Sequence, residues 1–145
     1  MTQSTTSRRT SGHDETADMG PGMVNMLGMM PGMMRKMMMK GRINALFAYT
    51  EERREQAIRG MFLAFHHPKV SRKAREKVIR TRVEIVAELP PARRTTIMKS
   101  RTEAMKRHPE VEQRDVEIQE KQLSKIHPTL RQAFEDTWKT VHRDR

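Results

Sequence analysis

The chain has no cysteine. That one absence removes a disulfide framework, a thiolate zinc site and a cysteine nucleophile together, and leaves thioethers as the sulfur chemistry available. Aromatic residues make up only 4%, namely Phe47, Tyr49, Phe62, Phe65, Phe134 and Trp138. Buried volume must therefore come from aliphatics and methionine. The apolar share of 35% is low for a globular domain and implies a thin core that a partner would help to cover. No run of about 18 apolar residues occurs, so no membrane-spanning helix is expected.

Signals and catalytic motifs are missing as well. The N-terminus, MTQSTTSRRTSGHDETAD, carries Arg8 and Arg9 with no apolar stretch behind them, and it holds Asp14, Glu15 and Asp18. It reads neither as a secretory signal nor as an organelle transit peptide, which leaves the cytoplasm as the expected location. Residues 1–18 have almost nothing to bury and are expected to be a disordered polar tail. Glycine-rich phosphate loops, GxSxG, HExxH and dinucleotide fingerprints do not occur. The expectation is a non-enzymatic chain with no cofactor and no metal ligands.

What is present is positive charge and methionine. Twenty-nine lysines and arginines oppose 18 acids over 145 residues, a formal charge of +11. Such a balance favours anionic partners: nucleic acid, an anionic membrane surface or an acidic protein patch. Residues 19 to 40, MGPGMVNMLGMMPGMMRKMMMK, hold ten of the 14 methionines. Met23, Met26, Met30, Met33 or Met34, and Met37 recur at helical steps of three and four, while Gly28, Pro31 and Gly32 interrupt the pattern. The spacing predicts two short helices hinged at MMPGMM, the second continuing through KGRINALFAYT.

Sequences that need a unique core use Leu, Ile and Val, whereas methionine fits irregular surfaces. Met23, Met26, Met30, Met33, Met34 and Met37, continuing to Leu46 and Phe47, are therefore the candidate partner-binding residues. A core role, a Cu(I) site built from soft thioethers and insertion into a membrane surface are the competing readings. In texture the stretch resembles the methionine-lined groove of the signal-recognition-particle M domain, over residues 19 to 40 and by composition. That family's RNA-binding motif has no counterpart here, and its function is not carried over.

Beyond residue 50 the prolines Pro68, Pro90, Pro109 and Pro128 stand 22, 19 and 19 residues apart. Apolar residues recur at three and four between them: Ile58, Met61, Phe62, Phe65; Val78, Ile79, Val83, Val86, Leu89; Leu130, Phe134, Trp138, Val141. Thr50 and Ser71 suit N-caps, and Pro91, Pro109 and Pro128 suit first helical positions. The helices near 92–107 and 110–126 have narrow apolar stripes, which fits edge positions. The chain is thus expected to be all-α: a tail (1–18), a methionine-rich helical arm (19–49), and a basic domain of about five short antiparallel helices (50–145).

Thirteen basic residues against four acidic ones lie between Lys69 and Arg107. Several of the cations fall in first helical turns, where the macrodipole prefers anions. Arg72, Lys73, Arg75, Arg93 and Arg94 are accordingly the candidate anion-binding residues. His66, His67, His108 and His127 precede prolines at expected helix ends, where an imidazole complements the C-terminal dipole. The leading functional expectation is a non-catalytic accessory or adaptor subunit docked on a partner protein. A backbone-directed RNA- or DNA-associated protein and a Cu(I)-binding protein are the alternatives, and self-association is left open.

Overall fold

A computed structural model describes residues 19–143. It contains helices α1 (Pro21–Met29), α2 (Gly32–Ala45), α3 (Glu51–Phe65), α4 (Arg72–Glu88), α5 (Pro91–Ala104), α6 (Pro109–Leu123) and α7 (Pro128–Arg143). A 3-10 turn, Leu46–Ala48, follows α2, and no strand occurs among the described residues. The protein is all-α. The tail expected over 1–18 lies outside the described residues.

Local chemistry sets the helix boundaries. Thr50 Oγ accepts the Arg53 N–H at 3.3 Å, and Ser71 Oγ accepts the Ala74 N–H at 3.1 Å, satisfying donors that a helix start leaves without partners. Pro91, Pro109 and Pro128 open α5, α6 and α7, where a missing N–H costs nothing. Pro31, in an extended conformation, separates α1 from α2. Gly28 does not interrupt α1; it lets α1 approach α4, because a Cβ there would lie 2.5 Å from the Ala74 Cβ.

Helix α4 is the centre of the bundle. Helices α1, α2, α6 and α7 pack on it, while α5 packs on α3 and α7. Ala74, Val78, Ile79, Val83, Ile85 and Val86 are buried, so α4 has apolar contacts on most sides. The methionine-rich helices join the same core through Val24, Leu27, Met39 and Ile43. Asn25 fixes α1 further, donating to the Lys69 carbonyl at 3.0 Å and accepting the Ser71 N–H at 2.9 Å.

An arginine repeats at the fourth residue of α2, α3, α4 and α5: Arg35, Arg54, Arg75 and Arg94, spaced 19, 21 and 19 residues apart. Each guanidinium reaches back to the carbonyls that close the preceding segment. Arg35 donates to Met30 and Leu27, at 3.0 and 3.4 Å. Arg54 donates to Leu46 and Tyr49. Arg75 donates to Phe65, His67 and Val70, and Arg94 to Ala87 and Leu89. A cation in a first turn opposes its own helix dipole, but here its donors go to carbonyls of the segment before it, of which Leu27, Leu46 and His67 also accept a backbone N–H. This pattern is the internal repeat that the proline spacing shows only indirectly.

Candidate functional site

The core-facing side of α2 is narrow. Met39 and Ile43, followed by Leu46 in the 3-10 turn, are buried one helical turn apart, and α1 buries Val24, Leu27 and Gly28. Much of the remaining apolar surface of both helices is thioether. Met29, Met33 and Met37 are 85%, 80% and 70% exposed, and Met26, Met34 and Met38 are exposed too. Of the candidate partner-binding residues, Met26, Met33, Met34 and Met37 therefore lie on the surface, while Met23 and Met30 are half-buried against the core. Leu46 does not belong to that face: at 1% exposure it is a core residue. Phe47 packs partly on the core with the Arg93 guanidinium 4.7 Å from its ring centre. Met29 and Met38 are additions: they also stand three or four from Met26, Met33 and Met34, so spacing alone does not separate Met29 from Met30, whereas exposure does.

The charge on α1 and α2 themselves has one sign. Residues 19 to 50 contain no Asp or Glu and four cations: Arg35, Lys36, Lys40 and Arg42. Across the α1–α4 contact, Lys77 Nζ lies 3.5 Å from the Gly28 carbonyl, and Lys69 and Lys73 are exposed on the neighbouring turn. Lys36 holds Glu88 at 2.9 Å and Glu84 lies near Arg35, so carboxylates of α4 border the face.

The candidate anion-binding residues divide into two groups. Arg75 and Arg94 direct their donors at the carbonyls named above, and Arg94 also donates to Thr137 Oγ at 2.7 Å. Burial and the nearby Arg114 charge hold the Arg75 guanidinium below its ordinary pKa. Arg72 and Lys73 are at the surface, Arg72 beside Glu76 at 3.3 Å, and Arg93 is exposed over Phe47. The structure does not gather the five into one site. Arg82 and Arg101, from the same basic stretch, point into the interior.

There they meet Asp115 of α6, which is fully buried. Arg82 donates to both its oxygens, Nη1 to Oδ1 at 3.0 Å and Nη2 to Oδ2 at 2.7 Å. Arg101 Nη2 donates to Oδ2 at 2.9 Å and His66 Nε2 to Oδ1 at 2.7 Å. Arg101 Nη1 also reaches Glu112 at 3.0 Å, so two guanidiniums face two carboxylates. The Phe62 ring lies 4.6 Å from the Arg82 guanidinium and 5.1 Å from that of Arg101, which also stands 4.6 Å from the Trp138 ring. Burial alone would raise the Asp115 pKa. The Arg82 charge, the His66 hydrogen bond and the Arg101 charge outweigh it and hold the carboxyl well below the usual carboxylate range.

This centre ties α3, α4, α5 and α6 together through one carboxylate, so His66 serves the interior rather than a helix end. His67 and His127 also depart from the expected role. Their Nδ1 atoms accept N–H bonds from Lys69 and Thr129, two residues onward, which stabilises the turn that follows. Beside the Arg82 and Arg101 guanidiniums lies a mostly apolar cavity of about 40 Å³, walled by Leu46, Ile58, Met61, Phe62, Met98 and Phe134 among others. That is room for a few waters and far below the size of a substrate pocket. Among the described residues no group of three or more His, Asp or Glu is placed to hold a metal ion, and no helix is long and apolar enough to cross a membrane. The soft donors at the surface are the thioethers of α1 and α2.

No family model, curated protein or solved structure matches the chain at a significant level.

Proposed function

We propose that the protein is a non-catalytic docking subunit whose α1–α2 face receives a partner protein. The observation that carries this reading is the row of exposed thioethers, Met29, Met33 and Met37 above all, on helices whose opposite sides are sealed into the core. A solvent-exposed apolar cluster of this kind marks an interaction surface, and methionine suits one that must adapt its shape. Charge selects the occupant. With cations and no carboxylate between residues 19 and 50, the complementary ligand is a partner segment with an apolar side edged by Asp and Glu. A second copy would bring the same cations opposite themselves. The membrane reading lacks the Trp and Phe anchors that interfacial helices use.

The test is a photoreactive residue at position 33 in the full chain, expressed in its native cell, with and without Met37→Glu. The expected result is crosslinking to peptides rich in Asp and Glu, lost in the Met37→Glu chain. A chain that crosslinks to nothing, to lipid alone or only to its own copy overturns the reading.

A further inference from the structure

Thirteen of the chain's 14 methionines lie among the described residues, and they range from buried to exposed. Met19, Met39, Met61, Met98 and Met105 are at most 5% exposed, Met23 and Met30 are half-buried, and Met26, Met29, Met33, Met34, Met37 and Met38, all on α1 and α2, are at least 41% exposed. No thiol is present to compete for a two-electron oxidant. The thioether is a soft nucleophile whose oxidation depends on access. We infer that the α1–α2 face is a sulfoxidation site, at which hydrogen peroxide converts an apolar surface into a polar one while the fold stays intact.

In the step itself the sulfur lone pair attacks one peroxide oxygen. An S–O bond forms as the O–O bond breaks, the sulfur is oxidised by two electrons, and the second oxygen leaves as water after taking up the proton. The product is a chiral, strongly hydrogen-bond-accepting sulfoxide. The core does not depend on the side chains that change: α1 is held by Val24, Leu27, Asn25 and the Gly28–Ala74 contact, and α2 by Met39, Ile43 and the Arg35 clasp. Oxidation therefore acts on the surface and spares the packing. Its consequence for docking rests on the function proposed above; the modification itself does not.

The experiment treats the folded full chain with limiting hydrogen peroxide and reads three quantities: oxygen uptake by peptide mass mapping, the melting curve, and retention on a hydrophobic-interaction column. Met29, Met33 and Met37 are expected to gain oxygen on the order of tenfold faster than Met39, Met61, Met98 and Met105. The melting curve stays in place and retention falls. A chain carrying Met29→Leu, Met33→Leu and Met37→Leu keeps most of its retention under the same treatment. Equal uptake by buried and exposed methionines, or melting that falls in step with uptake, or unchanged retention, overturns the inference. If the face oxidises and retention falls but position 33 crosslinks to no partner protein, the docking reading fails and the modification site stands.

Discussion

Arg82 of α4 and Asp115 of α6 form a two-pronged ion pair in the interior, at 3.0 and 2.7 Å, with no solvent at the carboxylate. Removing one member of such a pair leaves the other charge buried without compensation. Asp115→Asn is therefore expected to cost about 3–5 kcal/mol, read as a shift in the urea midpoint. Arg101 and His66 bond to opposite oxygens, and asparagine keeps only one acceptor, so one of them meets an NH2 instead and the effect exceeds that for any exposed ion pair. A loss below about 1 kcal/mol would show that water replaces the carboxylate without penalty.

The same carboxyl sets an acid limb. Its folded pKa lies below its ordinary value, because the Arg82 charge, the His66 hydrogen bond and the Arg101 charge overcome the opposing effect of burial. A group depressed in this way adds stability above its unfolded pKa, near 3.9, and that stability is lost as pH falls. Urea midpoints measured from neutral to acid pH should be flat down to about pH 4 and then decline. In Asp115→Asn the decline should be shallower; an unchanged slope would assign the acid limb to other carboxylates.

These charges were present in the sequence, but in a form that periodicity does not weigh. Arg82 falls between Val78 and Ile85, Arg101 between Ile97 and Met105, and Asp115 between Val111 and Ile118, each in line with its helix's apolar stripe. Counting apolar residues alone makes such positions look like gaps and their helices look thin. The readable signal was one charge inside the stripe of three helices, with signs that can pair. The helices, their proline starts and the Thr50 and Ser71 caps were legible because each depends on residues near in sequence. The arginine clasps were half legible: the cations at the helix starts stood out, yet their partners belong to the preceding helix, which a single-helix dipole argument leaves out.

Gly28 and Ala74 give a test of how α1 seats. A methyl group at position 28 would meet the Ala74 Cβ and Cα at 2.5 and 2.6 Å, the latter being backbone that yields poorly. Overpacking of this kind costs about 1–3 kcal/mol, against a gain of about 1 kcal/mol for alanine over glycine in a helix. Gly28→Ala is expected to lower the melting temperature, and adding Ala74→Gly should recover part of the loss. Stabilisation by Gly28→Ala alone would mean that α1 rides higher on α4 than the contact implies.

Arg75 tests the clasps, because it alone reaches three carbonyls, those of Phe65, His67 and Val70, at 2.9 to 3.1 Å. Arg75→Met keeps much of the aliphatic stem and removes the donors to the Phe65, His67 and Val70 carbonyls, of which that of His67 keeps the Val70 N–H. The expected loss is about 1–3 kcal/mol by chemical denaturation. Arg75→Lys should restore little, since one ammonium lacks the planar fork that spans the set. Arg72→Met, a turn earlier and exposed beside Glu76, should leave the transition where it is. Equal effects at 72 and 75 would reduce the clasp to general electrostatics.

Leu46 and Met33 separate the core from the docking face. Leu46 is closed in beneath the end of α2, and Leu46→Ala is expected to cost about 2–5 kcal/mol through the lost contacts and the cavity left behind. Met33 is 80% exposed, so Met33→Gln should leave stability within about 0.5 kcal/mol of the parent. The two substitutions should invert when retention on a hydrophobic-interaction column is measured: Met33→Gln shortens it, and Leu46→Ala, still folded under mild conditions, does not. Stability that falls as far for Met33→Gln as for Leu46→Ala would place the thioether inside the packing and remove the physical basis for docking through α1 and α2.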